Sequence, residues 1–366
     1  MNQMNLSSIE TQWQGRLRAL LSSIPIAKDV KIHDIPSRHA DMWDAEATFC
    51  IADEQYRLLV ECLPSGQPRF VRNAALKLGQ QVFREQGLTR GLVVAPFLSP
   101  AARAILAETH TGWLDLAGNS RIAFPRFHVE VEKADRDPFA TKRAQRSLFY
   151  PKSARVLKVL LHRPHQPWMG KELSLLAEVS AGQVSNVRRA LIEREWAMED
   201  VGGGIRLTQP EALLDAWRDK GDHKPEVQLR GHTLMRGKQL EDALMNAFRL
   251  AGELDAHLLL ASHSVARRMA PFARVSGEFF YADDKGLQLL MDHLDIAQTD
   301  KGENITVYKT SDAGLWNEAV TLGEHWKATD TFQTYLDLLA SGERGREAAE
   351  HWRSEEIAPI LSSAHD

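Results

Sequence analysis

The chain has little of several things, and each shortage removes a class of protein. Cysteine occurs twice in 366 residues, at Cys50 and Cys62. Two cysteines at that spacing make neither a disulfide framework nor a zinc site, and a reducing, cytoplasmic compartment is the expectation. No run of about 18 uncharged apolar residues occurs, so no membrane span is expected. The opening stretch MNQMNLSSIETQWQGRLRALL lacks a basic segment leading into an apolar core, so no signal peptide is expected either. There is no internal repeat and no low-complexity tract. There is also no excess of basic residues, since the net charge is −4, and the chain as a whole is not a general polyanion binder. No cofactor motif and no metal-ligand cluster is visible.

What is present has the composition of a globular protein, with 43% apolar and 26% charged residues. The length exceeds one compact core of ordinary size and predicts two or three domains. Charge is unevenly spread. Residues 136–196 hold 12 Lys/Arg against 5 Asp/Glu, a local +7, which leaves −11 for the remainder. A basic segment inside an acidic chain is what a localised nucleic-acid contact requires, because phosphate neutralisation depends on local charge.

The pattern divides the chain into three parts, and the expected fold class is a multidomain α/β (α+β) protein. Residues 1–135 alternate β-type runs (ATFCIADEQYRLLVECL, RGLVVAPFL) with amphipathic helical ones (RFVRNAALKLGQQVFREQG), and Ser99-Pro100 is a helix start. Residues 150–222 form a compact helical block ending in a hairpin. Residues 230–366 again mix helices (KQLEDALMNAFRLAG, KGLQLLMDHLDI) with strands (HLLLAS, GEFFYA, NITVYKT) and close in a helical stretch interrupted at Gly342. RDKGDHKPEVQLRGHT reads as a polar joint between the last two parts.

In the central block, SARVLKVLLHRP places Val156, Leu157, Leu160 and Leu161 on one helical face, and the proline-rich RPHQP stops the helix. MGKELSLLAEV predicts a short helix with Leu173, Leu176 and Val179 facing inward, followed by a turn at Ser180-Ala181-Gly182. The next helix buries Val184, Val187, Leu191 and Ile192. Its other side carries Gln183, Ser185, Asn186, Arg188 and Arg189, the residue types that pair with base edges in the major groove. WAMEDVGGGIRLTQP then reads as strand, glycine turn and strand. Lys171 and Arg206 are placed to meet phosphate or the minor groove. Helix, helix-turn-helix and β-wing in that order resemble the winged helix of MarR-type regulators. The resemblance implies double-stranded operator DNA as partner, with a homodimer on palindromic repeats, although no dimerisation element is visible.

The flanking parts carry resemblances of their own. YRLLVECLPSGQPRFVRNAALKL, a strand ending in a carboxylate and followed by a helix, resembles the core of restriction-endonuclease-like folds. In those folds an acidic residue and Glu-x-Lys hold Mg²⁺ for phosphodiester hydrolysis. Glu61 fits the glutamate, and Asp41 or Asp44 the earlier carboxylate, but Leu63 stands where the lysine belongs; Arg69 and Arg72 carry charge nearby without being able to act as bases. The unit is therefore expected to be a non-catalytic relative, with a DNA-targeted, Mg²⁺-dependent nuclease as the alternative function. Asp115 and Asn119 are expected to cap and turn a strand connection.

From about residue 230 to 355 the sequence is similar to the C-terminal part of AbiEi-family antitoxins of type IV toxin–antitoxin systems. The tail motif is carried by Gln333, Tyr335, Leu336, Asp337, Leu338, Arg344, Gly345, Glu347, Ala348, Ala349 and Glu350. The resemblance implies a sequence-specific autorepressor of its own operon, not an enzyme, which opposes a nucleotidyltransferase-type toxin without forming a stable complex with it. It also implies a nucleotidyltransferase-like fold for this region. That fold draws attention to Asp283 and Asp284, but ASHSVARRM lacks the Gly-Ser signature and ADDKG reads as a turn. A third reading, a winged helix serving as a protein-interaction module, is set against DNA binding by the local charge.

Overall fold

A computed structural model describes residues 6–35, 43–85, 87–135, 137–139, 148–220, 225–272, 277–299, 301–310, 312–323 and 325–363. The chain forms two compact units. One is Met1–Ser147 with Arg189–Glu195, and the other Leu148–Arg188 with Trp196–Asp366.

The first unit is built on a sheet whose seven strands lie side by side in chain order: β1 (Ala27–Asp34), β2 (Ala45–Ile51), β3 (Glu54–Cys62), β4 (Leu88–Ala95), β5 (Gly112–Asp115), β6 (Ser120–Phe124) and β7 (Phe127–Val131). Neighbours joined by short turns run antiparallel, whereas β3, β4 and β5 are parallel, because α2 (Pro68–Arg84) and α3 (Pro100–Glu108) carry the chain back between them. The run ATFCIADEQYRLLVECL is two strands, since Ala52 and Asp53 both take positive φ (49° and 66°) and make a two-residue hairpin. α1 (Leu6–Ser22) places Trp13, Leu17 and Leu21 on one face of the sheet, against Phe49, Leu58, Val60 and Val94. On the other face Val71, Ala75, Leu78 and Leu106 of α2 and α3 pack on Leu59, Val93 and Trp113. Each fully buried Leu or Val contributes roughly 1.5–3 kcal/mol, so two such layers hold the sheet. α3 starts where the sequence says, with Pro100 in the first turn and Ser99 Oγ accepting from Ala102 N at 3.2 Å; α2 likewise has a proline, Pro68, in its first turn.

Asp115 and Asn119, both fully buried, behave as the turn chemistry predicts. Asp115 Oδ1 accepts from the backbone N–H groups of Gly118 and Asn119, both at 2.8 Å, and Asn119 Oδ1 accepts from those of Lys133 and Ala134.

The second unit opens with α4 (Pro151–His162), α5 (Gly170–Leu176), α6 (Ala181–Glu193, whose part from Arg189 on is counted with the first unit), a hairpin of β8 (Ala197–Glu199) and β9 (Ile205–Leu207), and α7 (Pro210–Lys220). Its sheet contains β10 (Glu226–His232), β11 (Leu258–Leu260), β12 (Glu278–Ala282), β13 (Ala297–Gln298), β14 (Ile305–Lys309), β15 (Val320–Leu322) and β16 (Trp326–Ala328), in the order β13-β10-β14-β12-β11-β16-β15. Helices α8 (Lys238–Glu253), α9 (Ser262–Met269), α10 (Asp284–Leu294) and α11 (Gly314–Asn317) are interleaved with these strands. α12 (Thr331–Leu339), α13 (Gly342–Trp352), a π-turn (Arg353–Ile357) and α14 (Ala358–Ser362) follow.

The stretch expected to be a polar joint holds a strand instead. β10 is bound on one side by β14 and on the other by β13, so pairing overrides its polar composition. The break at Gly342 is as expected, with φ at +79°. Across it Gly345 lets α13 approach α12 closely, since a Cβ there would stand 2.3 Å from the carbonyl oxygen of Leu338. Ala348 and Ala349 are buried while Arg344, Glu347 and Glu350 are exposed, a packed helix pair with a charged outer face.

Candidate nucleic-acid interface

α4 supplies the core of the helical block. Val156, Leu157, Leu160 and Leu161 are wholly buried, and Leu173, Ala177, Val179, Val184, Val187 and Leu191 of the segments that follow are buried as well. Two expectations for this core are corrected. Leu176 is 55% exposed, and Ala177 is buried in its stead, because α5 ends at Leu176 and the chain leaves through Glu178 at φ +51°. Ile192 is only half-buried. The turn also falls earlier than Ser180-Ala181-Gly182. It occupies Ala177–Ser180, Ser180 Oγ accepts from Gln183 N at 3.3 Å, and Ala181 and Gly182 are already in the first turn of α6. That first turn holds no acidic residue, so no side-chain negative charge in it offsets the positive end of α6.

The hairpin pairs Ala197 with Leu207 and Glu199 with Ile205. Of its three consecutive glycines, Gly203 takes a positive φ, +80°, and its N–H donates to Asp200 O at 2.8 Å to close the turn. A third segment joins from the connection between α4 and α5: Trp168 and Ile205 exchange two backbone hydrogen bonds of 2.8 Å each.

The residues expected to read DNA separate into two groups. Ser185, Asn186 and Arg189 lie on the exposed side of α6, Lys171 is exposed on α5, and Arg206 is half-buried on β9. Gln183 and Arg188 are engaged inside the block. Gln183 Nε2 donates to Ser153 Oγ of α4 at 2.6 Å. Arg188 Nη2 donates to Gly203 O at 2.9 Å and lies 3.4 Å from Glu199 Oε1, so it fastens the hairpin to α6.

A chain of buried polar groups sits behind α4, within the same unit. Lys158, 5% exposed, reaches Glu318 at 2.7 Å, Asp330 at 3.0 Å and the side-chain oxygen of Gln333 at 3.1 Å. Burial opposes its charge, but the two carboxylates outweigh this and hold its pKa above the ordinary lysine value. Asp330 also caps α12, accepting from Phe332 N and Gln333 N. Gln333 Nε2 and the Tyr281 hydroxyl both donate to Asp337, each at 2.9 Å. Burial nonetheless pushes the Asp337 pKa up to about 7. Gln333 and Asp337 of the tail motif are thus internal structural groups. Lys158 was not singled out from the sequence, where it reads as one more charge in a basic segment.

The other carboxylates also resolve. Asp283 caps α10, accepting from Gly286 N at 2.7 Å, and lies 3.2 Å from the His257 ring; Asp284 accepts from Gln228 at 3.3 Å. Glu278 on β12 is held by Ser264, Arg267 and Arg268. In the first unit, Lys77 of α2 donates to both carboxylate oxygens of Glu61, at 2.9 and 2.8 Å. Burial raises the Glu61 pKa, the Lys77 hydrogen bond opposes that, and Asp44 adds a smaller upward push. Asp44 Oδ2 accepts from Cys62 N at 2.7 Å. A lysine absent at position 63 therefore stands beside Glu61 by way of the helix, a neighbour that strand spacing cannot reveal. Asp41 lies outside the described residues. Among those residues no group of three or more His, Cys, Asp or Glu is placed to hold a metal ion, and no helix is long and apolar enough to cross a membrane.

Fold and site together define a mixed α/β protein in which a helical block with a glycine hairpin is joined to a C-terminal α/β region. Residues 206–358 match a family model described as a transcriptional regulator, the AbiEi antitoxin of a type IV toxin–antitoxin system. The match begins in β9 and runs to the start of α14, so it covers the C-terminal sheet and the tail motif. No curated protein and no solved structure matches the chain.

Proposed function

We propose that the protein is a sequence-specific DNA-binding repressor of antitoxin type, which binds operator DNA in its own promoter through a winged helix made of α4–α6 and the β8–β9 hairpin. The observation that carries the reading is the joining of this block to a C-terminal region matched by the AbiEi regulator model. The basic excess of residues 136–196 supports it, without Lys158 and Arg155, whose charges are spent on Glu318, Asp330 and Asp312. In this reading Ser185, Asn186 and Arg189 meet base edges, the start of α6 and Lys171 meet phosphates, and Arg206 lies along the backbone at the wing. Arg188 sets the wing against α6, and Gln183 sets α6 against α4. A cognate toxin is opposed without a stable complex with it. Fluorescence anisotropy on duplexes tiled across the upstream region tests the reading. The expected result is one preferred duplex whose binding is lost in the Ser185→Ala, Asn186→Ala, Arg189→Ala triple variant. Unchanged binding in that variant defeats the assignment of α6.

A second reading, a Mg²⁺-dependent nuclease using Glu61 and Asp44, gains one specific observation, the ammonium of Lys77 beside Glu61. The same ion pair engages both oxygens that would bind a metal. Plasmid cleavage with Mg²⁺ or Mn²⁺ that disappears in Glu61→Ala would favour this reading, and intact plasmid counts against it.

A further inference from the structure

Residues 312–318, which include the short helix α11, reach the helical block at three points within the second unit. Arg155 of α4 donates to Asp312 Oδ1 through Nε, at 3.1 Å, and through Nη2. Lys158, one turn further along the same side of α4, meets Glu318 at 2.7 Å. Asn317 Nδ2 donates to Glu178 Oε2 at 2.5 Å. Glu178 is the left-handed residue, φ +51°, at which the chain leaves α5 and turns toward α6. One segment of the C-terminal region thus holds both α4 and the turn between α5 and α6.

The segment is shaped for these contacts. Asp312 Oδ1 also accepts from Gly314 N at 3.1 Å, which folds the turn around the carboxylate that Arg155 meets. A Cβ on Gly314 would stand 1.9 Å from Arg155 Nε and 2.4 Å from its Cζ. The φ of Gly314 is not positive, so it is the space taken by the guanidinium that requires glycine here. Leu315 is buried in one cluster with Leu259, Ala261, Tyr281 and Tyr308, which anchors the segment on the C-terminal sheet. From α4 the connection continues to α6. Ser153 Oγ accepts from Gln183 Nε2 at 2.6 Å, and Gln183 lies in the first turn of α6, just before Ser185 and Asn186. Side chains that read base edges need their helix held to within about 0.5 Å by supporting contacts.

We propose that residues 312–318 set the position in which α6 meets operator DNA, a role that rests on the operator reading. Asp312, Gly314 and Asn317 are then positioning residues, which touch neither base nor phosphate, and the C-terminal region takes part in sequence discrimination. Ser185, Asn186 and Arg189 remain the groups that read the bases.

Anisotropy titrations of the full chain on the preferred duplex and on a scrambled duplex of the same length test this role in the Gly314→Ala, Asn317→Ala double variant. Alanine suits a helix better than glycine, and its Cβ displaces the end of the Arg155 side chain rather than backbone. Asn317→Ala releases an exposed contact to Glu178. The expected result is a loss of about fivefold or more on the preferred duplex, the lower end of coupling between distinct sites, with binding to the scrambled duplex kept. A packing role alone would lower the melting midpoint and leave the ratio of the two affinities unchanged. A wild-type ratio in the variant, or equal weakening on both duplexes, overturns the proposal. If the double variant does not fold, the same ratio is read from Asn317→Ala alone. A wild-type chain that prefers no duplex defeats the operator reading and this role with it; a wild-type preference that the variant retains defeats this role only.

Discussion

Arg188 and Arg189 are adjacent in sequence and differ in setting. One is committed to the hairpin through Gly203 and Glu199; the other lies on the exposed side of α6. Under the operator reading, Arg189→Ala is expected to cost about 1–3 kcal/mol on the operator and much less on a scrambled duplex. Arg188→Ala is expected to weaken both duplexes alike, because it releases the wing rather than a base contact. Anisotropy titrations on the two duplexes separate these outcomes. Asp337 supports a second prediction at this scale. Its folded pKa, about 7, lies above the ordinary carboxylate value, so the folded chain keeps a proton that the unfolded chain releases between pH 4 and 7. The stability owed to this group therefore falls as pH rises through that window and is lowest above pH 7. Asp337→Asn keeps an acceptor for Tyr281 and Gln333. It is expected to raise stability at pH 8 by on the order of 2–4 kcal/mol, with the difference shrinking toward pH 4; urea melts across that range would show it.

Among the elements, α4 does more than its hydrophobic pattern states. One face fills the core of the helical block, and Lys158 on the same helix reaches the carboxylates of Glu318 and Asp330. Lys158→Met is expected to destabilise the second unit by about 3–5 kcal/mol, because two carboxylates lose their buried cation. Lys158→Met combined with Glu318→Gln should recover part of that loss in denaturant melts. In the hairpin, Gly203→Val forces a branched side chain to φ +80° and should cost about 1–3 kcal/mol, read as a lowered melting midpoint. Strongly periodic elements were readable beforehand: α2, α4, α6, α8 and α10 all lie where the apolar spacing puts them. The short or polar ones were not. The boundary between α5 and α6 moved because a single left-handed residue, Glu178, decides it, and glutamate does not signal that conformation. β10 was hidden because its stability comes from strands remote in sequence.

For the molecule as a whole, charge distribution matters more than net charge. The −4 total conceals the +7 of residues 136–196. Operator binding is therefore expected to fall steeply between 50 and 200 mM salt, as counterion release requires. Lys171→Ala is expected to reduce the slope of log K against log salt by about 1 without changing the preferred duplex. A slope near zero would point instead to a protein-binding role for the helical block.

The sequence by itself determined the mixed α/β class, the helix–helix–helix–hairpin order of the central block and the likeness of the tail to a known regulator, later matched over residues 206–358. These are local properties, written in periodicity, turn residues and short motifs. Only the tertiary structure decided which polar and charged groups are spent internally. Gln183 and Arg188 are tied to Ser153 and Gly203, Lys158 is buried between Glu318 and Asp330, and Lys77 stands beside Glu61. Whether a polar side chain faces solvent or another element depends on what the fold brings opposite it, and partners up to 172 positions away leave no trace in local spacing.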